Sequence, residues 1–558
     1  MPAPTSLRCA RSSVLFATLP VAVFASCASA QIALQPKAGA PLPDLTPAEH
    51  ALFVAGKALY ETPMTPEVGL GPIFNKAGCL SCHANPLGGW GSISVTHFGI
   101  SDKGAFSVIP GETQSLLQAQ AISEPCRELI PPQANFTATR VTNSSMAFGM
   151  IEAIPDADII AIADPDDLDG DGVSGKVSMV QPLEDPTGPL RAGRFGWKAQ
   201  VATVLSFSGD ATRNEMGVTN RLVPDENPPN GDYAKLAQCD TVSDPEDVAD
   251  IQGYAFIDRV THFQRFLAQP PQTPRAGMAG ESIFINIGCA KCHVPEWTTS
   301  SSPSLELALR NKVIRPYSDF LLHDMGLLGD GVAQANANEL EMRTPTLWNL
   351  RTRDPMLHNG LAAGGSFEAR VTTAIQAHGP YGEAAASADA FNLLAPTQRA
   401  QLIAFLDSLG RLEFDADGNG AIDYADFVAF QAAYGQATNP NLPSAVFDID
   451  QNGVIDAVDF QWFQAAYEGV NGDCNHNGIA DLADLLAGTS VDANGDGKPD
   501  ECLPCVADLT GDGIVNGADL GILLGSWGQA DVPADFDGDG DVNGSDLGVL
   551  LGNWGNCP

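Results

Sequence analysis

The 558-residue sequence predicts a mainly α-helical protein with two related units and a repetitive acidic tail. The first observation is a C-x-x-C-H run that occurs twice, at residues 79–83 and 289–293, each time after apolar residues at helical spacing. These lead segments are Leu45–Tyr60 and Ala276–Ile287. The second observation is a series of aspartate-rich loops after residue 412, most of them followed by a short helical pattern.

Each C-x-x-C-H run has the attachment signature of a c-type haem. Two thiols add to the haem vinyl groups, two intervening residues let one short turn hold both sulfurs, and the adjacent histidine ligates iron. A redox disulfide and half of a zinc site are the alternatives for a lone C-x-x-C. The trailing histidine argues against the disulfide, and two complete copies argue against zinc. We therefore predict two covalently bound c-type haems, held by Cys79, Cys82, His83, Cys289, Cys292 and His293.

Residues 1–30 have the features of an export signal. Arg8 and Arg11 precede an apolar stretch that is too short to span a membrane, and Ala28–Ala30 forms an A-x-A cleavage site. Cys27 lies in a sequence that loosely resembles a lipobox, which leaves a lipid anchor open. No later segment is apolar for long enough to cross a bilayer. We expect an exported protein of the periplasm or cell surface.

Six further cysteines lie outside the signal and the haem runs. Spare cysteines in an exported protein usually form disulfides. The predicted pairs are Cys126–Cys239, Cys474–Cys502 and Cys505–Cys557, although sequence alone does not fix the pairing.

The formal net charge is −39, and most of it lies in the tail. From Glu413 to the end there are 26 acidic residues and one basic residue, Lys498. This balance argues against nucleic acid or anionic lipid as a partner. The carboxylates recur at fixed spacing, which indicates calcium loops rather than a disordered acidic tail.

Five loops place oxygen-bearing residues at positions 1, 3, 5, 9 and 12 and a glycine at position 6, as an EF-hand-type calcium loop does. Loop by loop, the predicted calcium ligands are Asp415, Asp417, Asn419, Asp423 and Asp426; Asp448, Asp450, Asn452, Asp456 and Asp459; Asp473, Asn475, Asn477, Asp481 and Asp484; Asp508, Asp512, Asn516 and Asp519; and Asp535, Asp537, Asp539, Asn543 and Asp546. A partial loop at 492–503 has Leu503 at position 12.

Aspartate at position 12 and one helix after each loop resemble dockerin modules more than regulatory EF-hands. The resemblance implies a cohesin-like partner for the tail. A purely structural, calcium-stiffened appendage is the alternative.

These features divide the chain into a signal (1–30), a linker (31–45), a first cytochrome-c-like haem domain with a large insertion (46–273), a second such domain (274–412), a dockerin-like calcium repeat pair (413–470), a cysteine-bracketed calcium-loop segment (471–503) and a second repeat pair (504–558). The predicted fold is mainly α, with two cytochrome-c-like haem domains and a C-terminal array of EF-hand/dockerin-like loop–helix repeats.

The order of motifs over Thr46–Leu412 resembles the di-haem oxidoreductase family, a relative of the bacterial di-haem cytochrome c peroxidases. Besides the haem runs, the segments that carry the resemblance are Ile151–Pro155, Gly193–Ala199, Tyr317–Gly326, Arg343–Trp348 and Pro355–Gly360. The resemblance implies a peroxidase in which one haem takes electrons from a small donor of cytochrome c or cupredoxin type and the other opens a coordination position to peroxide. A non-catalytic multihaem electron-transfer protein is the alternative, and a calcium-dependent attachment module is a third possibility.

The resemblance also suggests the remaining iron ligands. For the second haem we expect His378, with His323 and Met325 as rivals and a solvated helix-end histidine as the alternative. For the first haem the candidate is His97, and a surface histidine or an open position is the alternative.

Two further residues are candidates for the reaction itself. Glu152 is a lone carboxylate in an apolar segment, suited to a distal base that moves a proton across peroxide, and a capping or salt-bridge glutamate is the alternative. Trp197 is implied by the resemblance as an electron carrier between the haems, and a buried core tryptophan is the alternative.

Overall fold

The computed structural model describes residues 33–242, 248–502, 505–530 and 532–556. The predicted export signal, Leu503 and Cys557 lie outside these ranges. The regular elements of the described residues are mostly helices, and the strands are few and short, so the prediction of a mainly α-helical chain is confirmed. None of the described helices is long and apolar enough to cross a membrane.

Fifteen α-helices form in the described ranges. In chain order they are α1 Pro47–Glu61, α2 Phe148–Glu152, α3 Asp156–Ala161, α4 Val204–Met216, α5 Tyr233–Cys239, α6 Phe256–Phe266, α7 Ala279–Asn286, α8 Phe367–Ala377, α9 Ala385–Asn392, α10 Pro396–Ser408, α11 Tyr424–Ala433, α12 Ala457–Ala466, α13 Asp481–Ala487, α14 Gly517–Gly525 and α15 Gly544–Gly552.

The strands are short except for two in the insertion of the first unit. They are β1 Ile73–Phe74, β2 Ser94–Asp102, β3 Ala105–Ser107, β4 Gln120–Ala121, β5 Phe136–Val141, β6 Met179–Val180, β7 Arg191–Ala192, β8 Trp297–Thr298, β9 Val313–Ile314, β10 Leu322–Asp324, β11 Glu341–Arg343, β12 Ile514–Val515 and β13 Gly555–Asn556. An antiparallel sheet has the order β3-β2-β5, and the other strands pair as β1-β4, β6-β7, β8-β9, β10-β11 and β12-β13. The three-stranded sheet is a feature that the helical interpretation did not predict.

A capping box fixes the start of α1, the helix before the first C-x-x-C-H run. Glu49 N–H donates to Thr46 Oγ1 at 3.3 Å, Thr46 N–H donates to the Glu49 carboxylate at 2.7 Å, and Pro47 occupies the first turn. The helix then crosses α6 so closely that a methyl group at Gly56 would overlap the Arg259 carbonyl oxygen.

The helix before the second run, α7, crosses α10 in the same way. A methyl group at Gly280 would overlap the Gln401 carbonyl oxygen. Phe284, Tyr317 and Phe405 pack around this crossing, and the ring centroids of Phe284 and Phe405 lie 5.5 Å apart. Two helix pairs, each crossing at a glycine, therefore support the two C-x-x-C-H runs.

Two of the three predicted disulfides join described residues, and both are present. Cys126 pairs with Cys239, and Cys474 pairs with Cys502. The third prediction involves Cys557 and lies outside the described ranges.

The first part of the tail packs against the second unit. Glu413 is buried, forms an ion pair with Arg275 and accepts a hydrogen bond from Gln35 N–H at 3.0 Å. Arg351 donates to the Gly418 carbonyl oxygen at 3.1 Å, inside the first aspartate-rich loop. The last two loops instead share a small core of their own, formed by Ala507, Val515, Leu523, Ala534, Val542 and Leu550.

The Gly280 crossing gives a stability prediction. Gly280→Ala should lower the free energy of unfolding by about 1–3 kcal/mol, because the added methyl group forces α7 away from α10. The matched control is Gly521→Ala, on a helix where an added methyl group meets no atom within 4 Å. The control should be neutral or stabilising by up to about 1 kcal/mol, since alanine has the higher helix propensity. Thermal melts of the three proteins test this, and equal melting temperatures for the two variants would contradict the close crossing.

Candidate functional site

The two C-x-x-C-H runs adopt the same local geometry. Residues Cys79–Ser81 and Cys289–Lys291 each form one 3₁₀ turn. His83 N–H donates to the Cys79 carbonyl oxygen at 2.9 Å, and His293 N–H makes the equivalent bond to Cys289, also at 2.9 Å. All four cysteines are outside any disulfide. One tight turn thus holds two thiols and an imidazole together in each unit, as thioether attachment of a haem requires.

Each motif histidine is oriented by a backbone carbonyl. Nδ1 of His83 lies 3.2 Å from the Gly89 oxygen, and Nδ1 of His293 lies 2.8 Å from the Tyr317 oxygen. Donation from Nδ1 leaves Nε2 as the nitrogen suited to bind a metal. Burial lowers the pKa of both imidazoles to about 4, so both are neutral at physiological pH.

An aromatic side chain from the lead helix lies beside each motif histidine. The ring centroids of Tyr60 and His83 are 6.2 Å apart, and those of Phe284 and His293 are also 6.2 Å apart. Tyr60 is on α1 and Phe284 is on α7, so the helix crossings position the motif histidines through these rings.

Each motif lines its own cavity. The first cavity has a volume of about 470 Å³ and the second of about 180 Å³. The first is lined by Tyr60, Cys79, Cys82, His83, His97 and Trp197, among others. The second is lined by Cys289, Cys292, His293, Met325, Trp197 and His378, among others. Trp197 therefore borders both cavities.

The first cavity contains donors that lack a partner among the described residues. They are Nη2 of Arg140, Nε of Arg213 and Nε2 of Gln114, all buried. A buried donor without an acceptor is costly, and a guanidinium group is matched best by a carboxylate. Arg140 already pairs with Asp330 through Nε at 2.6 Å, so the remaining N–H groups can donate to oxygen acceptors of a ligand, such as the carboxylate arms of a haem.

The second cavity presents two buried guanidinium groups. Arg343 is 5% exposed and Arg353 is 4% exposed, and neither forms a salt bridge with any carboxylate that the structure describes. Burial lowers the pKa of Arg343 to about 10, and burial together with Arg343 lowers the pKa of Arg353. The charge of Asp319 acts on Arg343, but neither guanidinium group has a described carboxylate within salt-bridge distance, so both can donate to a group with two carboxylate arms.

The predicted sixth ligands line the expected cavities. His378 caps α8, borders the second cavity, and has Nδ1 at 2.7 Å from the Ala374 oxygen, so its Nε2 is the nitrogen suited to a metal. His97 on β2 borders the first cavity and is buried, so it is not the surface histidine that was the alternative. Its Nδ1 lies 2.9 Å from Ser115 Oγ.

The rival His323 is held by two carboxylates. Its Nε2 lies 2.7 Å from Asp319 and its Nδ1 lies 2.8 Å from Glu383. Burial alone would lower the pKa of His323, but the charge and hydrogen bond of Asp319 raise the pKa well above its ordinary value. A protonated imidazole with both nitrogens engaged does not ligate a metal. Met325 borders the second cavity and remains a rival.

Glu152 does not border either cavity. Its carboxylate forms an ion pair with Arg265 and accepts a hydrogen bond from Val204 N–H at 2.8 Å, at the start of α4. This geometry favours the salt-bridge and capping role over a distal base, because a distal base must reach a substrate in the cavity.

Two acidic residues that the sequence analysis missed do border the first cavity. Asp210 and Glu215 both lie on α4. Burial raises the pKa of Glu215 to about 7. The hydrogen bond that Asn75 Nδ2 donates to its carboxylate at 2.8 Å acts in the opposite direction and lowers the pKa. Burial and the charge of Glu215 raise the pKa of the Cys82 thiol to about 11, which places the carboxylate near the motif.

In the tail, the position-12 aspartates are buried. Asp426, Asp459, Asp519 and Asp546 are 0% exposed, and each accepts the backbone N–H of position 9 at the start of the following helix. In the first two loops the carboxylates of positions 1, 3 and 12 converge within 4.8 Å. Burial and neighbouring aspartates raise the pKa of Asp459 to about 6.

A protein-family model described as "Di-haem oxidoreductase, putative peroxidase" matches residues 132–409. This range contains the second C-x-x-C-H run and Trp197, and the first run lies upstream of it. Among solved structures, the chain is similar to a MauG-like protein associated with microbial copper homeostasis, with 14% identity and a TM-score of 0.30 over 67% of this chain and 93% of that chain. No curated protein matches the chain.

The pKa of Glu215 gives a pH prediction. Its folded pKa of about 7 lies above the ordinary 4.5 of a glutamate, so the folded state keeps a proton that the unfolded chain has released. Stability should therefore fall as pH rises from 4.5 to 7 and then level off. In Glu215→Gln, the decrease in the free energy of unfolding over this pH range should be smaller by about 1–3 kcal/mol, because glutamine does not titrate. Melting temperatures at pH 5 and pH 8 measure the difference, with the exposed Glu368→Gln as control. Identical pH dependence in all three proteins would contradict the assignment.

Proposed function

Because the chain belongs, over residues 132–409, to the di-haem oxidoreductase family, we propose that it is an exported c-type di-haem peroxidase. This match confirms the family predicted from the sequence motifs, and a redox function with two haems follows at that level. Peroxide as the oxidant, covalent attachment and export are the finer parts of the proposal. The predicted signal at 1–30 supports export to the periplasm or cell surface, with a lipid anchor at Cys27 left open.

The observation that carries the proposal is the repetition of one site. Two C-x-x-C-H turns with the same hydrogen bonds line separate cavities, and Trp197 borders both. When bound, a haem in each cavity would supply the iron that exchanges electrons and cleaves the O–O bond. His83 and His293 would hold the irons, and His378 is the proposed second ligand in the smaller cavity.

The first cavity is the proposed place for peroxide. It is the larger of the two, and Glu215 can both donate and accept a proton near neutral pH. Reduction of hydrogen peroxide to two waters consumes two electrons and two protons. In the proposed reaction, the Glu215 carboxyl oxygen delivers one proton to the leaving oxygen and solvent supplies the second. Burial also raises the pKa of Asp210, on the same helix, above its ordinary value.

Electrons would come from a small donor protein of cytochrome c or cupredoxin type. Trp197 is the proposed carrier between the cavities, since it is the indole that borders both. Its Nε1–H donates to the Val141 carbonyl oxygen at 2.9 Å. This hydrogen bond fixes the orientation of the ring and is compatible with both the electron-carrying role and a purely structural role.

An electron-transfer protein without substrate turnover is the second candidate. His97 favours it, because this histidine borders the same cavity as His83 and could fill the position that peroxide needs. Such a protein would carry both haems and would not consume peroxide.

Paired cysteine substitutions test the proposal. Cys79→Ser/Cys82→Ser and Cys289→Ser/Cys292→Ser should each remove the mass of one haem and abolish peroxide consumption with a reduced donor, because each pair forms the thioether bonds of one haem. The matched control is Cys474→Ser/Cys502→Ser, which breaks a tail disulfide and should keep both haems. Intact-mass spectrometry and a peroxide assay give the readouts. A colourless wild type would defeat the proposal, and two haems without turnover would favour the electron-transfer alternative.

We also propose that the tail loops bind calcium. Converging buried carboxylates repel one another unless a cation lies between them, and a hard cation with oxygen ligands fits the loop pattern. The bound tail would either stiffen the protein or present its helices to a cohesin-like partner. The contacts of the first loop with the second unit support the structural role for that pair.

A substitution in the last loop tests whether the tail binds calcium. Asp546→Asn should lose one equivalent of calcium, because the buried position-12 carboxylate is a charged ligand and also caps α15. The control Asp541→Asn changes an exposed carboxylate of the same loop whose position uses a backbone ligand. Isothermal titration of the chelator-treated protein counts the sites. Equal stoichiometry in both variants, or no binding in wild type, would contradict the proposal.

A further inference from the structure

The backbone segment Tyr317–Asp319 runs along the second C-x-x-C-H turn and is bonded to it on both sides of His293. The Tyr317 carbonyl oxygen lies 2.8 Å from Nδ1 of His293. The next two residues donate their backbone N–H groups to the carbonyl oxygens of Val294 and Cys292, both at 2.9 Å. The position of this segment therefore sets the hydrogen bond that orients the motif histidine.

This segment has an unfavourable backbone conformation. Tyr317 has a φ of 51° and Phe320 a φ of 63°, which places two bulky aromatic residues in the left-handed region. Both side chains are buried, with exposed fractions of 0% and 1%. Such a conformation persists only where the surrounding structure holds it. The contacts that hold it are therefore part of what orients His293.

Asp319 and His323 hold the segment from within the turn. One carboxylate oxygen of Asp319 accepts a hydrogen bond from Leu321 N–H at 2.9 Å, and the other lies 2.7 Å from Nε2 of His323. Both side chains are buried. The His323 ring thus fixes the carboxylate that closes the turn.

Glu383 anchors the opposite side of the His323 ring. Its carboxylate lies 2.8 Å from Nδ1 of His323 and accepts the backbone N–H groups of Ser174 at 3.1 Å and Asp324 at 3.2 Å. Asp319, His323 and Glu383 therefore form a continuous line of hydrogen bonds from the turn to the residues before α9. This line of three side chains is called the Asp319–His323–Glu383 bridge below.

The charges around the bridge are balanced. The carboxylates of Asp319 and Glu383 both contact His323, which is a protonated imidazolium. The charge of Asp319 also acts on Arg343, whose guanidinium group donates to two backbone carbonyl oxygens. Two carboxylates thus face two cations, so the bridge acts on His293 through its position and not through a net charge.

The first unit orients its motif histidine in another way. Nδ1 of His83 lies 3.2 Å from the Gly89 carbonyl oxygen, and Gly89 N–H donates to the Pro86 carbonyl oxygen at 2.7 Å within the same loop. The carbonyl group that faces His83 therefore comes from a local turn next to the motif. The first site serves as an internal control for any effect of the bridge.

We propose that the Asp319–His323–Glu383 bridge holds the Tyr317 carbonyl group against His293 and thereby lowers the reduction potential of the second haem. The inference rests on the proposed function for the haem itself. A hydrogen bond donated by Nδ1 makes the imidazole a more basic ligand, and a more basic ligand favours the oxidised iron. Reduction adds one electron from the donor protein, and no bond of the bridge forms or breaks. The three bridge side chains are positioning residues.

Two variants of Glu383 test the bridge at equal charge. Glu383→Ala and Glu383→Gln lose the same negative charge, but glutamine keeps an oxygen acceptor for Nδ1 of His323. In the full-length, haem-loaded protein, Glu383→Ala should raise the potential of the second haem by about 59 mV, a roughly tenfold change in the equilibrium constant of a one-electron couple. Glu383→Gln should produce a clearly smaller shift. Spectroscopic redox titration measures both potentials, and the paired cysteine variants assign them to the two haems.

His323→Gln breaks the bridge in its middle and is the independent variant. Loss of a positive charge alone would lower the potential of the second haem, whereas loss of the positioning should raise it. The control is His262→Gln, on α6, which borders neither cavity and should change neither potential. Equal potentials of the second haem in Glu383→Ala and Glu383→Gln, or a lowered potential in His323→Gln, would overturn the proposal.

Hydrogen–deuterium exchange measures the position of the segment directly. The backbone amides of residues 317–323 should exchange faster in Glu383→Ala and His323→Gln than in Glu383→Gln, and those of residues 83–89 should be unchanged in all three. Equal exchange of residues 317–323 in the three variants would also overturn the proposal. Haem mass and peroxide consumption are measured separately, so failure of the peroxidase function and failure of this positioning role are distinguishable.

Discussion

Burial of guanidinium groups beside the two cavities is the constraint on which the rest of the structure depends. Arg140 borders the first cavity, and Arg343 and Arg353 border the second. Arg140 pairs with Asp330, whereas Arg343 and Arg353 have no carboxylate of the described chain within salt-bridge distance, and a buried charge without such a partner costs several kcal/mol. The carboxylate arms of a haem would meet them in both units. Folding around the cavities and loading of the cofactor are then coupled, in the way that metal binding couples to folding in other small sites.

The two units hold their C-x-x-C-H turns in the same way but line their cavities with different groups. A lead helix with a glycine crossing and an aromatic ring beside the motif histidine occurs in both. The first cavity adds Asp210 and Glu215, whereas the second adds Arg343, Arg353, His323 and Glu383. The same attachment geometry is thus surrounded by different charged groups in the two units.

Features that depend on local chemistry could be predicted from the sequence. The C-x-x-C-H turns, the capped start of α1 and the periodic helices α7, α8 and α10 follow from residues within one or two turns of each other. Glu152 shows where this fails, since its partner Arg265 lies far along the chain and nothing near Glu152 signals the ion pair. Glu215 and the β3-β2-β5 sheet were missed for the same reason, because only the tertiary arrangement brings α4 to the first cavity and pairs distant strands.

The junction at Glu413 bears on where the chain can be divided. A polypeptide that stops at residue 412, the predicted edge of the second haem domain, would leave Arg275 without its buried carboxylate and Gln35 without its acceptor. Cleavage after residue 470 spares all of these contacts. The part of the chain that stabilises the second unit therefore extends beyond residue 412. A stable fragment would have to include the first two acidic loops.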